Sequence, residues 1–267
     1  MTTSLKRRDF LKSSIVLAAA AGTAGAIAAE SGTGRKQEHY EFRAYRIKNA
    51  EKQKIVNSYL EKALLPALNR MGIDRVGVFK VMDKPDDLSI YVLIPFKTME
   101  AFADLSPKLL ADTEYQKAAG ELDAQPKSDP AYTRIENRFY KAFSGMPVIE
   151  MPAQTAKKEP RVFEMRIYES HNEEKAALKR DMFNSGEMQL MRDIGLAPVF
   201  YGEALVGSDV PHLNYILSAS SAEEHKKHFD TFKTHPRWIG MKDLPKYKDT
   251  VSKITSIMLV PTDYSQI

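Results

Sequence analysis

Two short segments of the chain carry the same pattern, a carboxylate, a guanidinium and a phenol at every second residue: Glu41-x-Arg43-x-Tyr45 and Glu164-x-Arg166-x-Tyr168. Alternate side chains of an extended strand share a face, so each triplet projects as one group. A guanidinium offers a forked donor to a carboxylate or carbonyl oxygen, and a phenol adds a hydroxyl donor. Glu164 could serve as general base if burial raised its pKa. The triplets can equally satisfy themselves as ion pairs without a ligand, and that structural role is the favoured expectation. No residue is assigned a catalytic role from sequence.

Further candidates lie in the second half of the chain. Trp238, in His235-Pro236-Arg237-Trp238, is read as a packing anchor that could also line a pocket mouth. His171, just before Asn172, is a candidate proton donor at a pocket rim, with plain exposure as the simpler expectation. His225 and His228 share a helix face but stand among Glu223, Glu224, Lys226 and Lys227, so they are expected on a solvated surface and no metal site is predicted. Met165, Met182, Met188 and Met191 are read as core filling.

Composition removes several chemistries. The 267 residues include no cysteine, which excludes thiol nucleophiles, thiolate-bound clusters and disulfides. There is no glycine-rich phosphate loop, HExxH or G-x-S-x-G motif. No cofactor is predicted. The formal charge of +4 is concentrated at the start, where Lys6, Arg7, Arg8 and Lys12 oppose only Asp9, leaving the rest near neutrality and giving no reason to expect nucleic acid as a partner. Residues 1–29 read as a twin-arginine export signal: Arg7-Arg8-Asp9-Phe10-Leu11-Lys12, an Ala-rich apolar stretch and small residues at Ala26 and Ala28. The expectation is a periplasmic or secreted protein with no stable membrane span after cleavage.

The elements that position the triplets repeat. An offset of 123 residues aligns Glu41, Arg43, Tyr45, Asn49, Glu51, Lys52, Gly72 and Val76 with Glu164, Arg166, Tyr168, Asn172, Glu174, Lys175, Gly195 and Val199, eight identities over 36 positions. Roughly two would be expected by composition. Each copy shows an alternating strand, a helix opened by Asn49 or Asn172 and closed near Gly72 or Gly195, a hairpin, a second helical zone and a closing strand. Pro66 is expected to kink or break the first helix. The order βαββαβ predicts an α+β class, with two tandem ferredoxin-like units at 38–143 and 161–265 joined by a linker at 144–160. Two such sheets can cover each other's open faces, making a barrel with helices outside. Phe42, Ala44, Met165 and Ile167 are then expected to meet the helices, and the Glu-x-Arg-x-Tyr triplets to face the barrel interior.

Tyr40-Glu41-Phe42-Arg43-Ala44-Tyr45, Phe163-Glu164-Met165-Arg166-Ile167-Tyr168, the His235-Pro236-Arg237-Trp238 run and the ending Met258-Leu259-Val260-Pro261-Thr262-Asp263-Tyr264-Ser265 resemble the NIPSNAP family. That resemblance implies an intramolecular dimeric α/β barrel. It is strongest in the second copy, since the first has Tyr115 in place of the tryptophan. The expected function is binding of a small organic ligand, or an interaction role, through the sheet-lined interior. The alternative is a cofactor-light monooxygenase- or isomerase-type enzyme acting in the same cavity. Higher oligomers stay open.

Overall fold

A computed structural model describes residues 36–82 and 84–267. Residues 1–29, expected to be an export signal, lie outside the described residues, and no helix among those described is long and apolar enough to cross a membrane.

The first half runs β1 (His39–Arg46), α1 (Ala50–Tyr59), α2 (Leu65–Arg70), β2 (Gly77–Val81), β3 (Ile90–Phe96), α3 (Met99–Ala103), α4 (Leu105–Ala111), α5 (Thr113–Asp123) and β4 (Arg134–Ala142). After the short helix α6 (Ala153–Lys157), the second runs β5 (Val162–Glu169), α7 (Glu173–Met182), α8 (Met188–Asp193), β6 (Ala197–Val206), β7 (His212–Ala219), α9 (Ala222–Thr234), α10 (Pro236–Lys242) and β8 (Lys253–Pro261). Local chemistry sets the boundaries. Asn49 and Asn172 accept the amides of Lys52 and Lys175, and Ser221 accepts that of Glu224, so the first turns are capped as their side chains allow. Gly72 and Gly195 take the left-handed conformation, φ 74° and 88°, that ends a helix without Cβ strain.

Between α1 and α2 the chain makes a widened π turn, Leu60–Leu64, and Phe183–Glu187 makes the same turn between α7 and α8. Pro66 lies just after the first, where its missing amide is tolerated. The second has no proline and is relieved instead at Gly186, φ 146°.

The eight strands close into an antiparallel barrel in the order β1-β3-β2-β8-β5-β7-β6-β4. Each half contributes four strands, and the two sheets join edge to edge through β2–β8 (Lys80 opposite Val260) and β4–β6 (Tyr140 opposite Ala204). Closure leaves no free sheet edge. The segment 144–160 is packed rather than loose: Met146 and Ile149 are buried and Pro147 accepts the Glu38 amide at 2.8 Å.

The predicted facing of β1 and β5 is inverted. Phe42, Ala44, Met165 and Ile167 point into the barrel, where they join Phe79, Tyr91, Phe163, Phe200, Ile216 and Leu259 in one cluster shared by both sheets. Phe79 and Phe163 meet edge to face across it, ring centres 4.9 Å apart. The interior is therefore filled, and the triplets lie outside it. Tyr45 and Tyr168 belong instead to the two separate cores between each sheet and its own helices. The reason is steric: large apolar side chains from two facing sheets interdigitate in a closed barrel, whereas a helix layer leaves room beside long polar side chains. One polar cluster interrupts the interior near the β4–β6–β7 seam, where the Tyr140 hydroxyl lies 3.0 Å from His212 Nε2 and accepts from Asn214 Nδ2 at 3.2 Å.

Candidate functional site

In the first half, β1 presents Glu41 and Arg43 to the helices. Glu41 is 2% exposed, and Arg43 clamps it with two bonds, Nε to Oε1 at 2.7 Å and Nη2 to Oε2 at 2.8 Å. Asn137 on β4 donates to Glu41 Oε1 at 2.5 Å, and Arg43 Nη1 reaches the Tyr45 hydroxyl at 3.5 Å. Tyr45 is buried behind them against Tyr132. A cleft of about 400 Å³ opens over Glu41 and Arg43, with Tyr59 from α1 and Tyr115 from α5 on its polar side and Phe102, Leu105 and Leu109 on its apolar side. The two phenols bond to each other, O to O 3.0 Å. Burial raises the pKa of both phenols, so they stay protonated donors through the neutral range. Burial pulls the Arg43 pKa down, but the adjoining Tyr45 and Glu41 outweigh it and raise it above the usual value. Three of its five N–H groups are engaged by Glu41 and Tyr45, and two remain.

The second half fills the same place with side chains. Arg166 Nη1 donates to Glu164 Oε1 at 2.6 Å, and its Nε donates to the Tyr168 hydroxyl at 3.2 Å. Tyr215 donates to the Tyr168 oxygen at 2.9 Å. Ser256, opposite Arg166 on β8 as Asn137 is opposite Arg43 on β4, donates to Glu164 Oε1 at 2.5 Å. His225 lies against Glu164 Oε2 at 2.8 Å, and Phe229 covers the Arg166 guanidinium at 4.8 Å. His225 is thus 5% exposed, not the surface residue expected from its neighbours. Its helix is solvated on the other faces, but position 225 points at the sheet, where Phe102 stands in the first half. Glu164 is not the raised-pKa base envisaged from sequence. Burial pushes its pKa up, but the His225 contact, the Arg166 charge and the Ser256 hydroxyl outweigh this and leave it below the usual value.

Beside this network lies a buried ion pair that sequence reasoning missed. Lys179 Nζ is 2.8 Å from Glu187 Oε2, with the residues 3% and 1% exposed. Burial pushes the Glu187 carboxyl up against the opposing pull of Lys179. The ammonium is enclosed by the rings of Phe183, Trp238 and Tyr168, at 4.6, 5.4 and 5.5 Å. Trp238 also packs on Phe232, ring centres 4.5 Å apart. His171 is exposed in the turn after β5 and takes no part in this network. At the 123-residue offset Lys179 and Glu187 correspond to Val56 and Leu64, both fully buried. An apolar pair at the matching positions is the signal that could have revealed the ion pair as interior. Among the described residues no group of three or more His, Asp or Glu converges as a metal site.

The NIPSNAP family model matches residues 163–266. The second half is a NIPSNAP domain. No curated protein matches the sequence. Among solved structures, a putative monooxygenase from Lactobacillus acidophilus NCFM shares the fold with a TM-score of 0.57 and 11% identity, over 85% of this chain and 94% of that one. An anthrone oxidase-like protein does so with a TM-score of 0.52 and 12% identity, over 85% and 92%. A NIPSNAP-like domain protein from Burkholderia xenovorans is similar over 39% of this chain and 88% of its own, with 14% identity and a TM-score of 0.37. The NIPSNAP domain is thus the half whose sheet–helix space is plugged by His225, Phe229 and the Lys179–Glu187 pair, while the cleft lies in the other half.

Proposed function

We propose that this chain is an exported, duplicated NIPSNAP-like protein, with units at 38–143 and 161–265, that binds one small apolar organic molecule bearing an anionic or carbonyl group. The ligand site is the first-half cleft, not the barrel interior. The observation that carries this reading is the coincidence of about 400 Å³ of space with Arg43, which keeps two N–H donors without a hydrogen-bond partner among the described residues, beside two neutral phenols and an apolar wall. In the second unit the matching residues serve stability. Elements at a constant 123-residue offset support the duplication: α1 with α7, α2 with α8, and the two π turns between them.

A second reading, a cofactor-light oxygenase acting on an aromatic substrate, draws on the names of two structural neighbours and on the Tyr59–Tyr115 pair, which could donate to an oxyanion developing on a bound substrate. Native mass spectrometry of the exported full chain tests the first. Wild type retains one small organic mass per chain, whereas Ser106→Trp, which fills the cleft from an exposed position on α4, loses it while remaining folded. Retention of the same mass by the Ser106→Trp variant would refute the assignment. Oxygen uptake with the released molecule tests the second.

A further inference from the structure

A second, smaller cavity lies on the far side of α3 and α4, between the loop 71–75 and the end of β3, with a volume of about 160 Å³. This is close to the roughly 150 Å³ of an apolar cavity that takes up benzene. Ile73, Pro95 and Leu105 supply apolar walls, and Arg75, Lys97 and Lys108 bring three cations to it. Of the two carboxylates at the cavity, Glu38 is engaged by Arg75 Nη2 at 2.7 Å and by the Ile149 amide at 2.8 Å. Asp74 is exposed and takes Arg75 Nε at 3.2 Å. Lys108 has an exposed partner in Asp104 at 3.3 Å, while Lys97 forms no ion pair among the described residues.

The wall is held in a costly shape. Gly72 and Arg75 both take left-handed conformations, φ 74° and 58°, and a non-glycine residue there is sterically disfavoured. The Glu38 bond fixes Arg75 at the rim in spite of this. The matching place in the second half differs at each point that matters. Arg75, Lys97 and Lys108 correspond to Pro198, Ser220 and Thr231, and Leu105 corresponds to His228. The His228 ring sits on Gly195, so close that a Cβ there would lie 2.7 Å from Cε1, whereas nothing lies within 4 Å of a Cβ at Gly72. One half keeps open, and surrounds with cations, a space that the other half fills.

We propose that this cavity is a binding site for a small apolar monocarboxylate, with a body no larger than one ring in the apolar part and the carboxylate at Lys97, Lys108 and Arg75. It shares Leu105 as a wall with the larger cleft but none of that cleft's polar groups. Benzoate is the probe, titrated calorimetrically into the full chain at low ionic strength, with benzyl alcohol as the uncharged control. The expected result is one benzoate site in wild type and in Ser106→Trp, weakened about tenfold or more in K97M/K108M and for benzyl alcohol. Both lysines are exposed, so the double variant keeps its fold. Undiminished benzoate binding by K97M/K108M, equal binding of benzyl alcohol, or no binding at millimolar benzoate would each overturn the proposal. Loss of binding in Ser106→Trp would move benzoate to the larger cleft and overturn it as well.

Discussion

Removing one member of the Lys179–Glu187 pair is expected to be far more damaging than removing both. Both residues are nearly inaccessible, and Glu187 is the carboxylate that holds the ammonium, so Glu187→Leu leaves Lys179 uncompensated among Phe183, Trp238 and Tyr168. Breaking a buried pair costs about 3–5 kcal/mol. The ring faces retain part of the cation's stabilisation, about 0.5–2 kcal/mol, which places the expected cost near the lower end, about 3 kcal/mol. For a chain of this size that corresponds to a fall in Tm of roughly 10 °C. The double variant K179M/E187L makes the site as apolar as its counterpart Val56 and Leu64 and is expected within about 1 kcal/mol of wild type. Guanidinium unfolding of wild type, both single variants and the double variant measures the coupling. A single-variant cost below about 1 kcal/mol, or a double-variant cost equal to the sum of the singles, would refute the reasoning.

Arg166→Ala should cost about 2–3 kcal/mol in chemical unfolding, because Glu164 loses a partner in a partly screened setting, while any molecule held in the first-half cleft is retained. Gly72→Ala should cost about 1–2 kcal/mol through its left-handed backbone alone. Gly195→Ala should cost more, since its Cβ also strikes the His228 ring, and denaturation midpoints will rank the two. Burial lowers the His212 pKa, so the folded state disfavours the imidazolium. Its contribution is present above the usual 6.5 and is lost as pH falls below that value toward the folded pKa, and His212→Gln should flatten the melting-temperature profile in that window.

Much of the frame was legible because caps and glycines are local. Asn49, Asn172, Ser221, Gly72 and Gly195 act through their own backbone surroundings, and a constant offset between the two halves exposed the element order. The facing of β1 was not legible. Both of its faces are buried, one against the opposite sheet and one against helices, so alternation separates Phe42 and Ala44 from Glu41 and Arg43 without saying which set faces which layer. His225, Lys179 and Glu187 were hidden for a related reason: charged neighbours on a helix suggest solvent, yet one position per turn can point inward. Phe102, Val56 and Leu64, their counterparts in the first half, carry the missing information. Glu41, Arg43 and Tyr45 came forward as a residue set but were expected inside the barrel, because the cleft over them also depends on helices α4 and α5, which lie far from Arg43 in sequence.

The most direct measurement is a crystal structure of the purified protein with whatever small molecule it retains. Density for a small organic molecule between Arg43 and the Tyr59–Tyr115 pair is the expected result. Density among Phe42, Phe79 and Phe163 inside the barrel, or beside Arg166 and His225, would contradict the account.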